Sequence, residues 1–162
     1  MDNLKLTRID FRLIHGQVMT RWVKKYDIES IVVIDDRSAT SPIMKKILLN
    51  AAPHGVKVEV LTADEAGKRW KEESFPTNNL LILFKTPAGA AKAYAAGVKY
   101  PSLQVGGIEG AGNKVNICRN IVMSQEDVDA LKPMYEDGVE IFCQPIPEDN
   151  KVPFKTALEK FQ

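Results

Sequence analysis

Strand-like and helix-like segments alternate along the chain from one end to the other, the pattern of repeated βαβ units. Leu4 to Asp10 reads as a first strand, followed by a short loop and a helix from about Gln17 to Tyr26. Ser30 to Asp35 is a near-continuous apolar run rich in β-branched residues, the mark of a parallel strand covered on both faces and placed mid-sheet. Further strands are predicted at Lys57 to Leu61, Leu80 to Phe84, Leu103 to Val105 and Glu140 to Gln144. Val152, Phe154, Leu158 and Phe161 recur at helical spacing and predict a closing helix over Val152 to Phe161 with that stripe in the core.

Helix starts carry their own capping chemistry. Ser41-Pro42 and Thr86-Pro87 each set a hydroxyl cap before a first-turn proline, Thr62 with Glu65 forms a capping box, and Ser124 with Asp127 resembles one with a shorter acid. The last of these begins a helix from about Gln125 to Asp137, which Gly138 can terminate in a left-handed conformation. Right-handed crossovers then give an open, mostly parallel twisted β-sheet with helices on both faces, an α/β fold in a single domain over residues 1–162. Function in such sheets concentrates in the loops at the carboxyl ends of the strands. Those loops are Phe11 to Gly16, Asp35 to Ser41, Lys85 to Pro87 and Gly106 to Asn113.

Composition narrows the function classes. With 44% hydrophobic and 27% charged residues the chain is globular, and a net charge of +1 excludes a global field for nucleic acid or a polybasic membrane surface. The longest apolar runs, Ile31 to Ile34 and Leu80 to Phe84, are far below a membrane span, and the N-terminus lacks an apolar leader, so a reducing, cytoplasmic location is expected. Cys118 and Cys143 are too far apart for a CxxC motif, and with only His15 and His54 beside them no structural zinc set is recognisable; both read as buried thiols packing as small hydrophobes. No cofactor or metal is implied. Trp22 and Trp70 fall within helices and pack on the sheet, and His54, in Ala-Pro-His-Gly, reads as a turn residue.

Candidate chemistry gathers after the first strand. Arg8, Asp10 and Arg12 lie two apart, which in extended chain puts them on one face, and His15 follows just before a helix N-terminus, where free N–H groups favour an anion. Gly16 removes a side chain that would block close approach of a phosphate. Two guanidiniums, a helix start and an imidazole suggest phosphoryl chemistry on histidine, since a transferring phosphoryl carries charge on equatorial oxygens that Arg forks and backbone N–H groups can stabilise. No P-loop or kinase signature points to ATP as donor. Spacing alone leaves open that His15 is an ordinary loop histidine and that the arginines pair with Asp10, Asp35 or Asp36. Asp35 and Asp36 can equally orient loop amides.

The segment Arg8-Ile-Asp-Phe-Arg-Leu-Ile-His-Gly-Gln-Val18 strongly resembles the active-site signature of the IIB subunits of the mannose/fructose/sorbose class of the bacterial sugar phosphotransferase system. Ile31 to Asp36, Leu81 to Pro87 and Gln104-Val-Gly-Gly-Ile108 fall in register with the same family, so the likeness covers nearly the whole chain. It implies that His15 accepts a phosphoryl group from a phosphorylated IIA protein or domain and passes it to a sugar hydroxyl, most simply the sixth, during uptake through membrane partners IIC and IID. It further implies phosphoryl contact by Arg12 with help from Arg8, and phosphate binding at Gly16 and Gln17. Phe11 departs from the commoner acid or polar residue at its position, which bears on partner docking. Lys85, Thr86 and the Gly106-Gly107 pair would flank His15 if strand order follows the family. The segment Gly-Val-Glu-Ile-Phe-Cys-Gln-Pro-Ile-Pro has some likeness to branches handling amino sugars such as N-acetylgalactosamine. An isolated IIB chain leaves room for a homodimer, and two other classes stand against the carrier: a phosphate- or nucleotide-binding regulatory module without turnover, and a docking subunit of a membrane complex.

Overall fold

The computed structural model describes residues 2–110 and 112–162, with the side chain of Gln17 outside that description. The elements run β1 (Leu4–Asp10), α1 (Gly16–Lys25), β2 (Ser30–Ile34), α2 (Asp36–Thr40), α3 (Pro42–Ala51), β3 (Lys57–Leu61), α4 (Ala63–Lys71), β4 (Leu80–Phe84) and α5 (Pro87–Ala95). They continue with β5 (Ser102–Gly107), β6 (Val115–Cys118), β7 (Ile121–Met123), α6 (Gln125–Glu136), β8 (Glu140–Cys143), β9 (Val152–Pro153) and α7 (Phe154–Lys160). The main sheet has seven strands in the order β3-β2-β4-β1-β5-β8-β9, all parallel except β9, which pairs antiparallel with β8. The hairpin β6–β7 forms a separate two-stranded sheet.

Successive residues of each strand serve opposite faces, as the pleat requires. In β2, Ile31 and Val33 join Leu81 and Leu83 of β4 under Met19, Trp22 and Val23 of α1 and Leu48 of α3. Val32, Ile34, Ile82 and Phe84 point the other way, against Ala66 of α4, Ala90 and Ala93 of α5, Leu131 of α6 and Phe154 of α7. Both faces are therefore covered, which explains why β2 and β4 read as unbroken apolar runs. β1 lies near the centre, between β4 and β5, so the loop that leaves it opens in the middle of the sheet's carboxyl edge.

The capping reading holds at residue level. Ser41 and Thr86 accept from the amides of Met44 and Gly89, and Thr62–Glu65 and Ser124–Asp127 both form complete capping boxes. Gly138 adopts φ +101° after α6. Four features differ from the sequence reading. The expected loop Asp35 to Ser41 contains the short helix α2, capped by Asp35. The hairpin β6–β7 has no counterpart among the strands that the sequence predicts. Val152 and Pro153 form the edge strand β9 instead of a helical turn, because Val152 pairs with Cys143 and Pro153 serves as the cap of α7. Finally, Gly106 and Gly107 belong to β5 and not to the loop after it; of that loop, Ala111 lies outside the described residues. Among the described residues no helix is long and apolar enough to cross a membrane.

Candidate phosphoryl-transfer site

The chain turns sharply as it leaves β1: the amide of Leu13 donates to the carbonyl of Asp10 at 2.9 Å, and Leu13 takes a left-handed φ of +57° while its side chain is buried. Such a conformation is unfavourable for a residue bearing a Cβ, so the packed side chain is what holds the turn. Gly16 follows at φ +39° with open space where a Cβ would stand. Its glycine is thus required for the backbone turn rather than for lack of room. Between them His15 is the N-cap of α1, with extended backbone and no side-chain capping bond. The start of α1 is left without the hydroxyl or carboxylate cap that α2 to α6 possess.

The imidazole Nδ1 lies 2.9 Å from the carbonyl of Leu13. A carbonyl only accepts, so this contact places a ring hydrogen on Nδ1. Nε2 is covered and has no hydrogen-bond partner among the described residues. In this resting position neither nitrogen offers a free lone pair to an incoming phosphorus.

Arg8, Asp10 and Arg12 form one connected unit. Asp10 is fully buried; its Oδ2 accepts from Arg8 Nη2 at 3.1 Å, and its Oδ1 accepts from Arg12 Nε at 3.2 Å and from the Arg12 amide at 3.1 Å. Arg12 is 44% exposed, and its guanidinium lies 5.3 Å from the Phe11 ring centre. Arg8 is entirely buried. It donates to the carbonyls of Gln144 (3.1 Å) and Pro145 (2.9 Å) and to Gln104 Oε1, and it stacks 5.3 Å over Trp22. Burial lowers the pKa of its guanidinium, opposed chiefly by Asp10. Arg8 therefore does not reach the surface; it bonds Asp10, and Asp10 in turn holds Arg12.

The paired glycines make this possible. A Cβ on Gly106 would stand 2.0 Å from Arg8 Cζ, and one on Gly107 would stand 3.1 Å from Asp10 Oδ1 and 3.5 Å from Arg12 Nη2. The close approach permitted by Gly-Gly is an approach to the two arginines and the acid between them. Trp22 Nε1 donates to the same Pro145 carbonyl at 3.2 Å, tying α1 to the segment after β8. The sequence reading gives Gln104, Gln144 and Pro145 no part in the site; they lie 96 to 137 positions from Arg8, so the contacts follow from the fold and not from local spacing.

Beside the loop runs a groove of about 460 Å³ lined by Phe11, Arg12, Val18, Gly107, Val122 and Ile146 among others. A second cavity, of about 350 Å³, lies at the ends of β2 and β4 and includes Asp35, Asp36, Lys85, Thr86 and Lys92. Asp35 caps α2, while Asp36 accepts from the Ala63 amide at 2.8 Å and pairs with Lys92, so both acids orient amides rather than an arginine. Thr86 caps α5. Lys85 and Thr86 thus line a cavity distinct from the groove along Arg12.

Residues 4–162 match the family described as PTS system sorbose subfamily IIB component. The chain is 28% identical over 158 residues to the PTS system fructose-specific EIIB component of Bacillus subtilis, covering 98% of this chain and 97% of that one. It is 29% identical over 155 residues to the PTS system mannose-specific EIIAB component of Escherichia coli, covering 96% of this chain but spanning about half (48%) of that longer protein. Among solved structures, that of manxB from Thermoanaerobacter tengcongensis matches with a TM-score of 0.88 at 35% identity, covering 98% of this chain and 96% of the other. The IIBSor domain of the sorbose permease from Klebsiella pneumoniae matches with a TM-score of 0.88 at 25% identity over 98% of both chains.

Proposed function

The chain belongs to the IIB components of the sorbose subfamily of the sugar phosphotransferase system, and we propose that within that system His15 is the residue that carries the phosphoryl group. The observation that supports this most directly is the placement of His15 at the uncapped start of α1, in the loop that holds Arg12 half-exposed on a buried carboxylate. Donor and sugar acceptor come to this face in turn: a phosphorylated IIA protein or domain first, then a sugar presented by membrane subunits IIC and IID, with the protein itself cytoplasmic.

In the first step the imidazole leaves its resting contact with Leu13 and turns a lone pair outward. That nitrogen attacks phosphorus in line, the new N–P bond forms as the donor's N–P bond breaks, and the donor imidazole departs with the electron pair. In this reading Arg12 and the first amides of α1 meet the equatorial oxygens, whose charge is largest in the transition state. Asp10 fixes the Arg12 fork beforehand, and Arg8 fixes Asp10, so little reorganisation is left for the moment of transfer. In the second step a sugar hydroxyl oxygen attacks phosphorus, the His15 N–P bond breaks, and the hydroxyl proton leaves to solvent or a partner base. Gly16 leaves the approach open, and Gln17 is assigned to phosphate binding by its place at the first turn of α1. The groove along Phe11, Val18 and Ile146 gives each partner an apolar footing beside the charge.

The test is incubation of the purified protein with phosphoenolpyruvate, the general phosphotransferase proteins and a matching IIA. The site is then mapped by mass spectrometry at alkaline pH in wild type and His15→Gln. Acid-labile phosphate on His15 that chases to sugar only with the membrane subunits is the expected result. Charged IIA with no phosphate on this chain would instead assign it a binding or docking role.

A further inference from the structure

The cavity of about 350 Å³ at the ends of β2 and β4 is not used by the phosphoryl step, yet the topology sets it beside the phosphoryl loop. β4 lies next to β1, and β1 lies next to β5. Lys85 and Thr86 follow β4, and Glu109, two positions after β5, lines the same cavity. The cavity therefore runs from the β2 side of the sheet edge to the β5 side, and β1, the strand from which the phosphoryl loop leaves, ends between them. Ile108 and Gly110, the chain neighbours of Glu109, line the groove along Arg12. The loop after β5 thus forms a wall of both spaces.

Its walls balance in charge, with Asp35, Asp36 and Glu109 set against Arg37, Lys85 and Lys92. One pair is engaged in structure: Asp36 accepts from the Ala63 amide and pairs with Lys92, which ties α2 to α4 and α5. Among the described residues Arg37, Lys85 and Glu109 have no ion-pair partner. Asp35 engages Oδ2 with the amide and hydroxyl of Ser38, which leaves Oδ1 to accept. Thr86 Oγ1 accepts from the Gly89 amide, which leaves its hydroxyl hydrogen to donate. The cavity therefore offers donors and acceptors together. An anion would meet Asp35 and Glu109, and a cation would meet Lys85 and Arg37, whereas a neutral ligand whose groups both donate and accept is repelled by neither. The volume lies at the small end of the roughly 300–1,000 Å³ in which proteins hold small molecules. Chemistry and size together describe a monosaccharide.

We infer, on the reading of His15 as the phosphoryl carrier, that this cavity is a sugar subsite, which takes ring hydroxyls of the sugar whose remaining hydroxyl receives the phosphoryl group. The subsite makes and breaks no bond. Lys85 and Thr86 donate to sugar oxygens, and Asp35 and Glu109 accept from hydroxyl hydrogens. The ring is held in this way while its reacting oxygen points past the end of β1 toward the phosphoryl loop, which replaces a chance encounter by a positioned one.

The isotope-labelled full chain is titrated with mannose, fructose, sorbose and N-acetylgalactosamine, and with inorganic phosphate as the control for an anion site, and amide shifts are followed by NMR. At least one sugar is expected to give saturable shifts centred on Asp35, Lys85, Thr86 and Glu109, where phosphate gives none. Lys85→Ala and Glu109→Gln, at positions without an ion pair, are each expected to weaken that binding by about tenfold while the urea midpoint stays that of wild type. No saturable response to any of the sugars, shifts centred instead on Arg12 and Ile146, an equal response to phosphate, or unchanged binding by both variants would each overturn the proposal. Phosphate on His15 is measured separately on the wild type. Sugar bound at the cavity of a chain that takes no phosphate would keep the subsite and remove the carrier, and phosphorylated His15 with no sugar bound would do the reverse.

Discussion

Asp10 is the residue on which the site turns. It sits fully buried between a buried arginine and a half-exposed one, and it spends both oxygens and four contacts on them. Its value lies in what its loss would leave behind, since a buried guanidinium without its counter-charge is far costlier than the pair. Asp10→Asn is accordingly expected to lower stability by about 3 kcal/mol or more, read by urea unfolding, and to slow phosphoryl acceptance by freeing Arg12. Gly106→Ala tests the same unit from the other side. Its Cβ would overlap the Arg8 guanidinium at 2.0 Å, and Arg8 is held on several sides and cannot step away. A loss of about 1–3 kcal/mol is expected, with the phosphorylation rate falling alongside stability, whereas Gly110→Ala, whose Cβ would meet only ordinary contact, is expected to change neither. His15, Arg12 and Gly16 were legible in the sequence because the loop that carries them is local. The burial of Arg8 was not, because the carbonyls and amide that receive it come from Gln104, Gln144 and Pro145.

At the scale of elements, Asp36 links three helices. It opens α2, accepts the amide that begins α4 and pairs with Lys92 of α5. Lys92 first, and the Ala63 amide second, hold its carboxyl below the ordinary carboxylate range. The folded state therefore releases this proton more readily than the unfolded chain does. The stabilisation is complete above the ordinary carboxylate range and is lost as pH falls through the lower folded value. Asp36→Asn is expected to flatten the fall in stability on acidification, seen as a smaller drop in urea midpoint on the acid limb than in wild type. The helix caps and the parallel strands were readable because each is written in a few contiguous residues. The missed elements lack such a signal. β6 and β7 span four and three residues and expose Val115 and Asn116, too short for alternation to register. β9 contains only Val152 and Pro153, and its valine shares the helical spacing of Phe154 and Leu158 by coincidence. That strand exists because Cys143 offers it an edge, a fact of tertiary structure.

For the molecule as a whole, the site is assembled from both ends of the chain. The Pro145 carbonyl accepts from Arg8, 137 positions away, and from the Trp22 indole, 123 positions away, while Gln104 bridges Arg8 and the Gln144 side chain. β1, α1, β5 and the segment after β8 thus meet at one buried polar junction beneath the phosphoryl loop. A junction of this kind is satisfied only when all its members are present, so its parts are expected to be coupled. Trp22→Phe keeps most of the ring but removes its donor, at an expected cost of about 1 kcal/mol. Gln104→Ala removes an acceptor from a buried guanidinium and is expected to cost about 2 kcal/mol. Because both act on Arg8 and on the Gln144–Pro145 segment, the double variant should depart from additivity by about 0.5 kcal/mol or more. Trp22→Phe combined with Trp70→Phe is the control. Trp70 packs against the opposite face with Phe75, shares no partner with Trp22, and should add without coupling. Additivity in both cycles would mean that Arg8 is held by independent contacts and that the C-terminal segment does not position the loop.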